Sequence, residues 1–276
     1  MSLPLGRPLP SRALPWQDLP QTKLPNGLGI RYVSRRDVPF LYPETVGPEG
    51  RVICMEPIPN AAAALQHNIQ SHQHWCLKRG VHPGNVSALN VGAGNGQESS
   101  ATFTCYPDAA GWSTMQPNDA EVQEGVASYL QNSLRTRAGL EGSLLVSLAS
   151  LLQRLLPRWL TQRLFRWFAG RMLAKKQQVS CELTSISAVI RQQQLDRVHL
   201  MKIDVERAEL DVLRGVEAQH WQMIDQVVAE VHDIDGSLEK FQQILRNAAF
   251  TSLRCSQDPA LSGTTMFLVA ASRAPL

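Results

Sequence analysis

The chain has 276 residues, of which 43% are hydrophobic and 18% charged, and its formal net charge is +3. This composition excludes a disordered or fibrous protein and allows a substantial buried core, in one large domain or two small ones. So small a net charge does not indicate nucleic-acid binding. The five cysteines are scattered singly, without zinc-like spacing, so we expect reduced thiols, no metal site and a cytoplasmic protein.

The first 23 residues are rich in proline and lack the apolar core of a secretory signal, so a surface segment is expected ahead of the main domain, residues 24–276. Every long apolar stretch is interrupted by arginine or proline, which argues against a transmembrane helix.

Strands and helices are predicted to alternate along the main domain. The hydrophobic spacing predicts helices at 60–72, 119–134, 183–195, 205–216 and 237–249. Runs rich in β-branched and apolar residues predict strands at 51–59, 86–91, 101–106, 197–204 and 225–233, with a closing hairpin at 250–257 and 264–272. This order is typical of a doubly wound, mostly parallel α/β sheet.

The stretch "LNVGAGNGQESS", residues 89–100, has the glycine content of a nucleotide-binding loop. Such a loop is followed by a helix and then by an acidic residue about 20 positions later. Here a polar turn leads directly into the strand at 101–106, and the acidic strand end at Glu56 comes before the glycines. The spacing leaves two possibilities, a cofactor loop or an ordinary turn.

The stretch "LMKIDVERAELDVLRGV", residues 200–216, resembles the signature of FkbM-type S-adenosylmethionine (SAM)-dependent methyltransferases, close to L-L-K-I-D-V-E-G-x-E-x-x-V-L-x-G. The segments 24–44, 52–68 and 221–238 resemble the same family. The resemblance runs from about Leu24 to Ala271, apart from a helical insertion at about 138–177. It implies a SAM-methyltransferase-like fold and SAM as the cofactor.

The resemblance also implies that a segment is missing. The family's SAM loop, of the form D-V-G-A-N-I-G, should precede Glu56, but "FLYPETVGPEGRVICMEP" passes almost directly from one family segment to the next. A strand, loop and helix need roughly 25–30 residues. The domain is therefore expected to be reduced at its N-terminal edge, and the glycines at 92–96 fall on a turn between the family's third and fourth strands.

The family pattern suggests which residues contact the cofactor. Glu56 would bind the ribose hydroxyls, unless it is only a solvated acid at a strand end. Asn90, Gly92 and Gly94 in the later turn are the remaining candidates for contact with SAM.

Three residues are candidates for catalysis. Asp204 ends a strand where open α/β sheets bind ligands, although it could instead be the N-cap of a helix beginning at Val205. Glu206 is the pattern's neighbouring acid, expected in that helix's first turn, and Arg207 replaces the pattern's glycine. His232 follows Glu230 at another strand end and is either a general base or a structural histidine.

The insertion contains a basic and aromatic block. Between Arg135 and Lys176 there are nine basic residues and one acid, and Pro157 is expected to separate two helices. Residues Leu144–Lys176 could form a lid over the sheet edge or lie on a membrane surface, and nucleic acid is the least favoured partner.

Two functions follow from these observations. The resemblance implies methyl transfer from SAM, most simply to a hydroxyl of a small-molecule or sugar-like acceptor. The alternative is a non-catalytic methyltransferase-like protein that binds a partner or membrane surface through its basic helices.

Overall fold

The computed structural model describes residues 22–23, 29–30, 49–80, 84–107, 113–116, 118–136, 157–258 and 261–274. Its helices are α1 (Pro59–Leu77), α2 (Asp119–Thr136), α3 (Arg158–Leu173), α4 (Ile186–Gln192), α5 (Glu209–Arg214), α6 (Ala218–Trp221) and α7 (Ser237–Asn247). Its strands are β1 (Thr22–Lys23), β2 (Gly29–Ile30), β3 (Arg51–Met55), β4 (Asn85–Leu89), β5 (Gly92–Ala93), β6 (Ser100–Cys105), β7 (Gln177–Thr184), β8 (Met201–Ile203), β9 (Gln226–His232), β10 (Ser252–Ser256) and β11 (Met266–Ser272).

The strands form separate sheets. β10, β11, β9 and β8 lie side by side in that order, with β8 parallel to β9 and the other two pairs antiparallel. β3 and β4 form a parallel pair. β7 lies between β5, to which it is parallel, and β6, to which it is antiparallel. β1 and β2 form an antiparallel pair.

The expected α/β alternation is present, but the continuous, mostly parallel sheet is not, because the described strands pair in both directions and β3 and β8 do not meet. A cleft of about 1020 Å³ lies between these two strands. Arg51 connects the two regions, because its guanidinium donates to the backbone oxygen and the side-chain oxygen of Gln193 at 3.0 Å each.

The main core lies between the four-stranded sheet and its helices. Along β9, Val227, Ala229 and Val231 are fully buried, as period-two alternation requires. On α7, Phe241 and Leu245 are four residues apart and both are fully buried against this sheet. The predicted hairpin at the end of the chain is confirmed as the β10–β11 pair.

Two helix starts bear on the candidate site. Ser185 caps α4, and its Oγ accepts from the Ala188 N–H at 3.1 Å. α5 begins only at Glu209, so the expected helix start at Val205 is wrong, as is the N-cap role for Asp204. Glu206 therefore lies outside the first turn of that helix.

The glycine-rich stretch is a turn between β4 and β6. Asn95 Oδ1 accepts from the Gln97 N–H at 2.8 Å, and Gly96 has a φ of +82°, as a tight turn requires. Gly215, which ends α5, packs against this turn so closely that a Cβ there would lie 2.2 Å from the Gly94 backbone oxygen. The absence of a Cβ at Gly215 thus allows two chain segments to touch.

The predicted domain organisation is described only in part. The β1–β2 pair straddles the expected boundary at residue 23. The insertion's residues 138–156 lie outside the described residues. Its remainder forms α3, which starts directly after Pro157, as expected, and β7 begins at Gln177. In the part of the chain that the structure describes, no helix has the length and apolarity needed to span a bilayer.

The contact between Gly215 and Gly94 generates a test of this packing. Gly215→Ala should lower the free energy of unfolding by about 1–3 kcal/mol, because backbone must move to admit the methyl group. Gly94→Ala is the matched control, since a Cβ there would meet Leu183 at an ordinary 3.5 Å. Urea unfolding of both variants measures the difference, and an equal effect of the two changes would contradict the contact.

Candidate active site

Three carboxylates meet at the carboxyl ends of β8 and β9. The register pairs Ile203 with Ala229, which brings Asp204 level with Glu230. Asp204, Glu206 and Glu230 each offer an oxygen within 4.8 Å of the others. Lys202 Nζ donates to Asp204 Oδ2 at 2.8 Å and supplies compensating positive charge. This acidic cluster has the donor atoms to bind a hydroxyl, an amine or a cation.

His232 is held between two further carboxylate contacts. Its Nδ1 lies 2.9 Å from Glu209 Oε1, and its Nε2 lies 3.3 Å from Glu206 Oε2. All three side chains are buried. Burial alone would lower the pKa of His232, but hydrogen bonds to Glu206 and Glu209 and their charges together raise it to about 10.

The protonation of His232 bears on its expected role. At neutral pH the ring is an imidazolium, and both nitrogens donate to carboxylates. A general base needs an available lone pair, so this geometry argues against His232 as the base and favours a positioning role. His232 joins the end of β9 to Glu206 and to the first turn of α5.

The backbone between Asp204 and α5 is unusual. Glu206 has a φ of +49° and Arg207 a φ of +81°, both in the region that favours glycine. The buried Thr114 hydroxyl donates to the Glu206 backbone oxygen at 2.6 Å. The Arg207 N–H donates to Glu209 Oε1 at 2.9 Å. These bonds hold a turn that aims Glu206 toward the cluster.

Glu56 lies across the cleft from this cluster. Glu56, Asp204 and Glu206 all line the same cleft. Burial raises the pKa of Glu56, and a hydrogen bond from the Ile58 N–H to its Oε1 at 2.9 Å partly opposes that effect. The three expected acids therefore face one cavity from two separate sheets.

The other three expected cofactor residues make structural contacts. Asn90 Nδ2 donates to the backbone oxygens of Glu56 and Pro57 at 2.9 Å each, which joins the ends of β3 and β4. The Gly94 N–H donates to Thr184 at 2.9 Å. Gly92 lines the cleft, and a Cβ at this position would lie only 2.7 Å from Leu183 Cδ2. Close packing explains Gly92 without a cofactor, whereas a Cβ at Gly94 would make only an ordinary contact with Leu183.

Sequence reasoning missed Thr114 and gave Glu209 too little weight. Thr114 belongs to a short segment that bridges to Thr104 on β6, and its sequence has no feature that marks it. Glu209 could have been recognised, because the family pattern places an acid at this position, three residues after Glu206.

The comparisons with known proteins agree with the chemistry of this site. Residues 158–251 match the family model described as the Methyltransferase FkbM domain. The chain is 29% identical to 31-O-demethyl-FK506 methyltransferase FkbM of Streptomyces tacrolimicus, over 91% of this chain and 96% of that protein. These two matches support the assignment of the chain to an FkbM-type methyltransferase family.

Further relatives match the chain over differing shares of their own length. Methyltransferase 1 of Beauveria bassiana is 26% identical over 84% of this chain and 76% of that protein. AMB antimetabolite synthetase AmbE of Pseudomonas aeruginosa is 31% identical over 82% of this chain but only 10% of its own length. No solved structure matches the chain.

The buried charge cluster generates a prediction about pH. The folded pKa of His232 is about 10 against an ordinary 6.5, so its stabilisation is complete below pH 6.5 and is lost as the pH rises through about 10. His232→Gln should cost about 3 kcal/mol or more at pH 6, because two carboxylates lose their buried partner. Urea unfolding from pH 6 to 10 should show this cost shrinking.

Glu209→Gln serves as the comparison for that series. With one carboxylate partner removed, the pKa of His232 falls, so the loss of stability should move to lower pH. A His232→Gln cost that stays constant from pH 6 to 10 would contradict an imidazolium at this site.

The left-handed backbone at Arg207 generates a separate prediction. Arg207→Gly should be more stable than Arg207→Ala by about 1 kcal/mol, because only glycine adopts this φ without a steric cost. Both variants lose the hydrogen bond from Arg207 Nη1 to the Gln116 backbone oxygen, so their difference isolates the backbone. Equal melting temperatures would show that position 207 is not strained.

Proposed function

We propose that this protein transfers a methyl group from SAM to a hydroxyl oxygen of a small-molecule or sugar-like acceptor. The observation behind the proposal is the cleft between β3 and β8, which is lined by Glu56 on one side and by Asp204 and Glu206 on the other. Its volume, about 1020 Å³, is sufficient for a cofactor and a small acceptor together. The proposal draws its methyl chemistry from the family.

The residues of the cleft fit SAM at one end better than at the other. Carboxylates suit the ribose hydroxyls and the amino group, and Glu56 and Asp204 would hold them. In the glycine turn the Gly94 N–H already bonds to the Thr184 backbone oxygen, and the Gln97 N–H bonds to Asn95 Oδ1. Affinity for SAM should therefore depend mainly on the acidic residues.

The acidic cluster would activate the acceptor. When bound, SAM supplies an electrophilic methyl carbon. Asp204 would accept the proton of the acceptor hydroxyl, and Lys202 at 2.8 Å orients that carboxylate. Glu206 would orient the acceptor, and His232 would hold Glu206 in place. Catalysis would then depend mainly on the alignment of the acceptor oxygen with the methyl group.

The acceptor class is supported by relatives as well as by the site. The Streptomyces relative is named 31-O-demethyl-FK506 methyltransferase, a name that specifies an oxygen-linked methyl group. A cleft with carboxylates and apolar strand residues suits a neutral or cationic acceptor better than an anionic one. Protein and nucleic-acid acceptors fit the cleft less well.

The incomplete cradle generates a prediction about SAM affinity. Isothermal titration of the full chain should give a dissociation constant weaker than about 10 µM. Glu56→Gln and Asp204→Asn should each weaken binding further, because each removes a charged acceptor of hydrogen bonds. Asp235→Asn is the control, since Asp235 is exposed, lies away from the cleft, and has a φ of +52° that asparagine tolerates.

Repair of the missing unit makes the test decisive. A D-V-G-A-N-I-G strand–loop–helix unit inserted ahead of Arg51 should tighten SAM binding. A low-micromolar constant for the natural chain would show that the missing cradle is not needed. Binding by neither the natural nor the repaired chain at millimolar SAM would overturn the methyltransferase proposal and favour the non-catalytic alternative.

A further inference from the structure

One side of α3 exposes large apolar side chains and arginines together. Trp159, Arg163, Trp167 and Arg171 follow one another at intervals of four, so they form a single stripe along the helix. Trp159 is 65% exposed and Trp167 61%. Leu164 and Phe168, each 49% exposed, lie beside this Trp–Arg stripe. The surfaces of soluble proteins rarely expose so many large apolar side chains together.

The opposite side of α3 already has its partner. Ala169 and Leu173 are buried against Val122 and Val126 of α2, with Phe165 and Met172 beside them. The Gln123 side chain also donates to the Arg166 backbone oxygen at 2.8 Å. The helix is therefore fixed to the domain by one face, and the Trp–Arg stripe is not needed for that contact.

The charges of α3 are divided in the same way. The helix contains no acidic residue. Arg166, at the edge of the packed face, pairs with Glu124 at 2.7 Å. Arg163 and Arg171 form no ion pair with any described residue, and the Arg171 guanidinium lies 5.5 Å from the Trp167 ring centroid. The stripe thus presents positive charge that the protein does not neutralise.

We propose that the Trp–Arg stripe of α3 docks on the surface of an anionic lipid bilayer. Tryptophan and phenylalanine rings sit favourably at the level of the headgroups, and arginines bind headgroup phosphates while their stems lie along apolar side chains. The helix lies flat on the bilayer and does not cross it. This docking is independent of the methyltransferase proposal.

The sequence before α3 suits the same surface. Residues 144–156, "LLVSLASLLQRLL", consist mostly of leucine, contain no acid and contribute one arginine. Adjacent chain of this kind adds apolar side chains and no charge that anionic headgroups would repel. A protein partner would need acidic groups to match Arg163 and Arg171, whereas an anionic bilayer supplies them at every point.

Vesicle co-sedimentation of the full chain tests the proposal. Vesicles of phosphatidylcholine with 30% phosphatidylserine are compared with pure phosphatidylcholine, at low and at high salt. The chain should bind the anionic vesicles, and binding should weaken with salt. Arg163→Gln with Arg171→Gln should reduce the partition coefficient about 30-fold, since each basic residue contributes about fivefold at such a surface.

Two matched controls separate docking from general effects of charge and hydrophobicity. Arg166→Gln removes the same charge from the same helix but from a residue already paired with Glu124, so its effect should be clearly smaller. Trp159→Ser with Trp167→Ser should lower binding at least about tenfold. Trp75→Ser, which removes another exposed tryptophan on α1 that lies beneath Arg79, should leave binding unchanged.

The remaining outcomes overturn the proposal. Equal binding to neutral and anionic vesicles would exclude recognition of anionic lipid. An absence of vesicle binding, together with dimers that the Trp159 and Trp167 changes dissociate, would assign the stripe to a second copy of the chain. Salt-sensitive binding to DNA or RNA without vesicle binding would assign it to nucleic acid. Circular dichroism melting checks that the variants remain folded.

Discussion

The geometry of the candidate site depends on one buried charge cluster, His232 between Glu206 and Glu209. An imidazolium and two carboxylates removed from water stabilise the fold only when each charge has its partner. Here the partners come from the end of β9, from the turn before α5 and from α5 itself. The cluster therefore fixes the relation between these elements, and it holds Glu206 in a backbone conformation that would otherwise be unfavourable. Without it, the acidic edge of the cleft has no defined shape.

The cleft that makes a ligand site possible is also the weakest part of the fold. A parallel strand inside a sheet normally pairs with a neighbouring strand on each edge. β3 and β8 are instead separated by a cleft of about 1020 Å³. Few contacts cross the gap, and Arg51 with Gln193 is an exposed one. A ligand that bridged Glu56 and Asp204 would connect the two regions as well as fill the space. Binding and stability of this protein should thus be closely linked.

The sequence could predict elements whose signal is local. The alternation of β9, the four-residue spacing of Phe241 and Leu245, and the start of α3 after Pro157 depend on neighbouring residues, and the structure agrees with each. The role of His232 could not be read in this way, because its partners lie 23 and 26 residues earlier and reach it only through the fold. Gly92 was misleading because close packing and cofactor approach both require the absence of a Cβ. Arg207 was the informative exception, since the family's glycine at that position marks a positive φ.

α3 shows that one helix can satisfy two separate demands. Its inner face explains why Phe165, Ala169 and Leu173 are apolar, because those side chains complete a small core with α2. Stability gives no reason for tryptophan at 159 and 167, where exposed apolar rings gain little from folding and favour aggregation. Lysine or glutamate there would serve the helix better, as both are good helix formers and solvated. A contact outside the domain therefore explains the residues on the outer face. The regular alternation of tryptophan with arginine requires that contact to be both apolar and negatively charged.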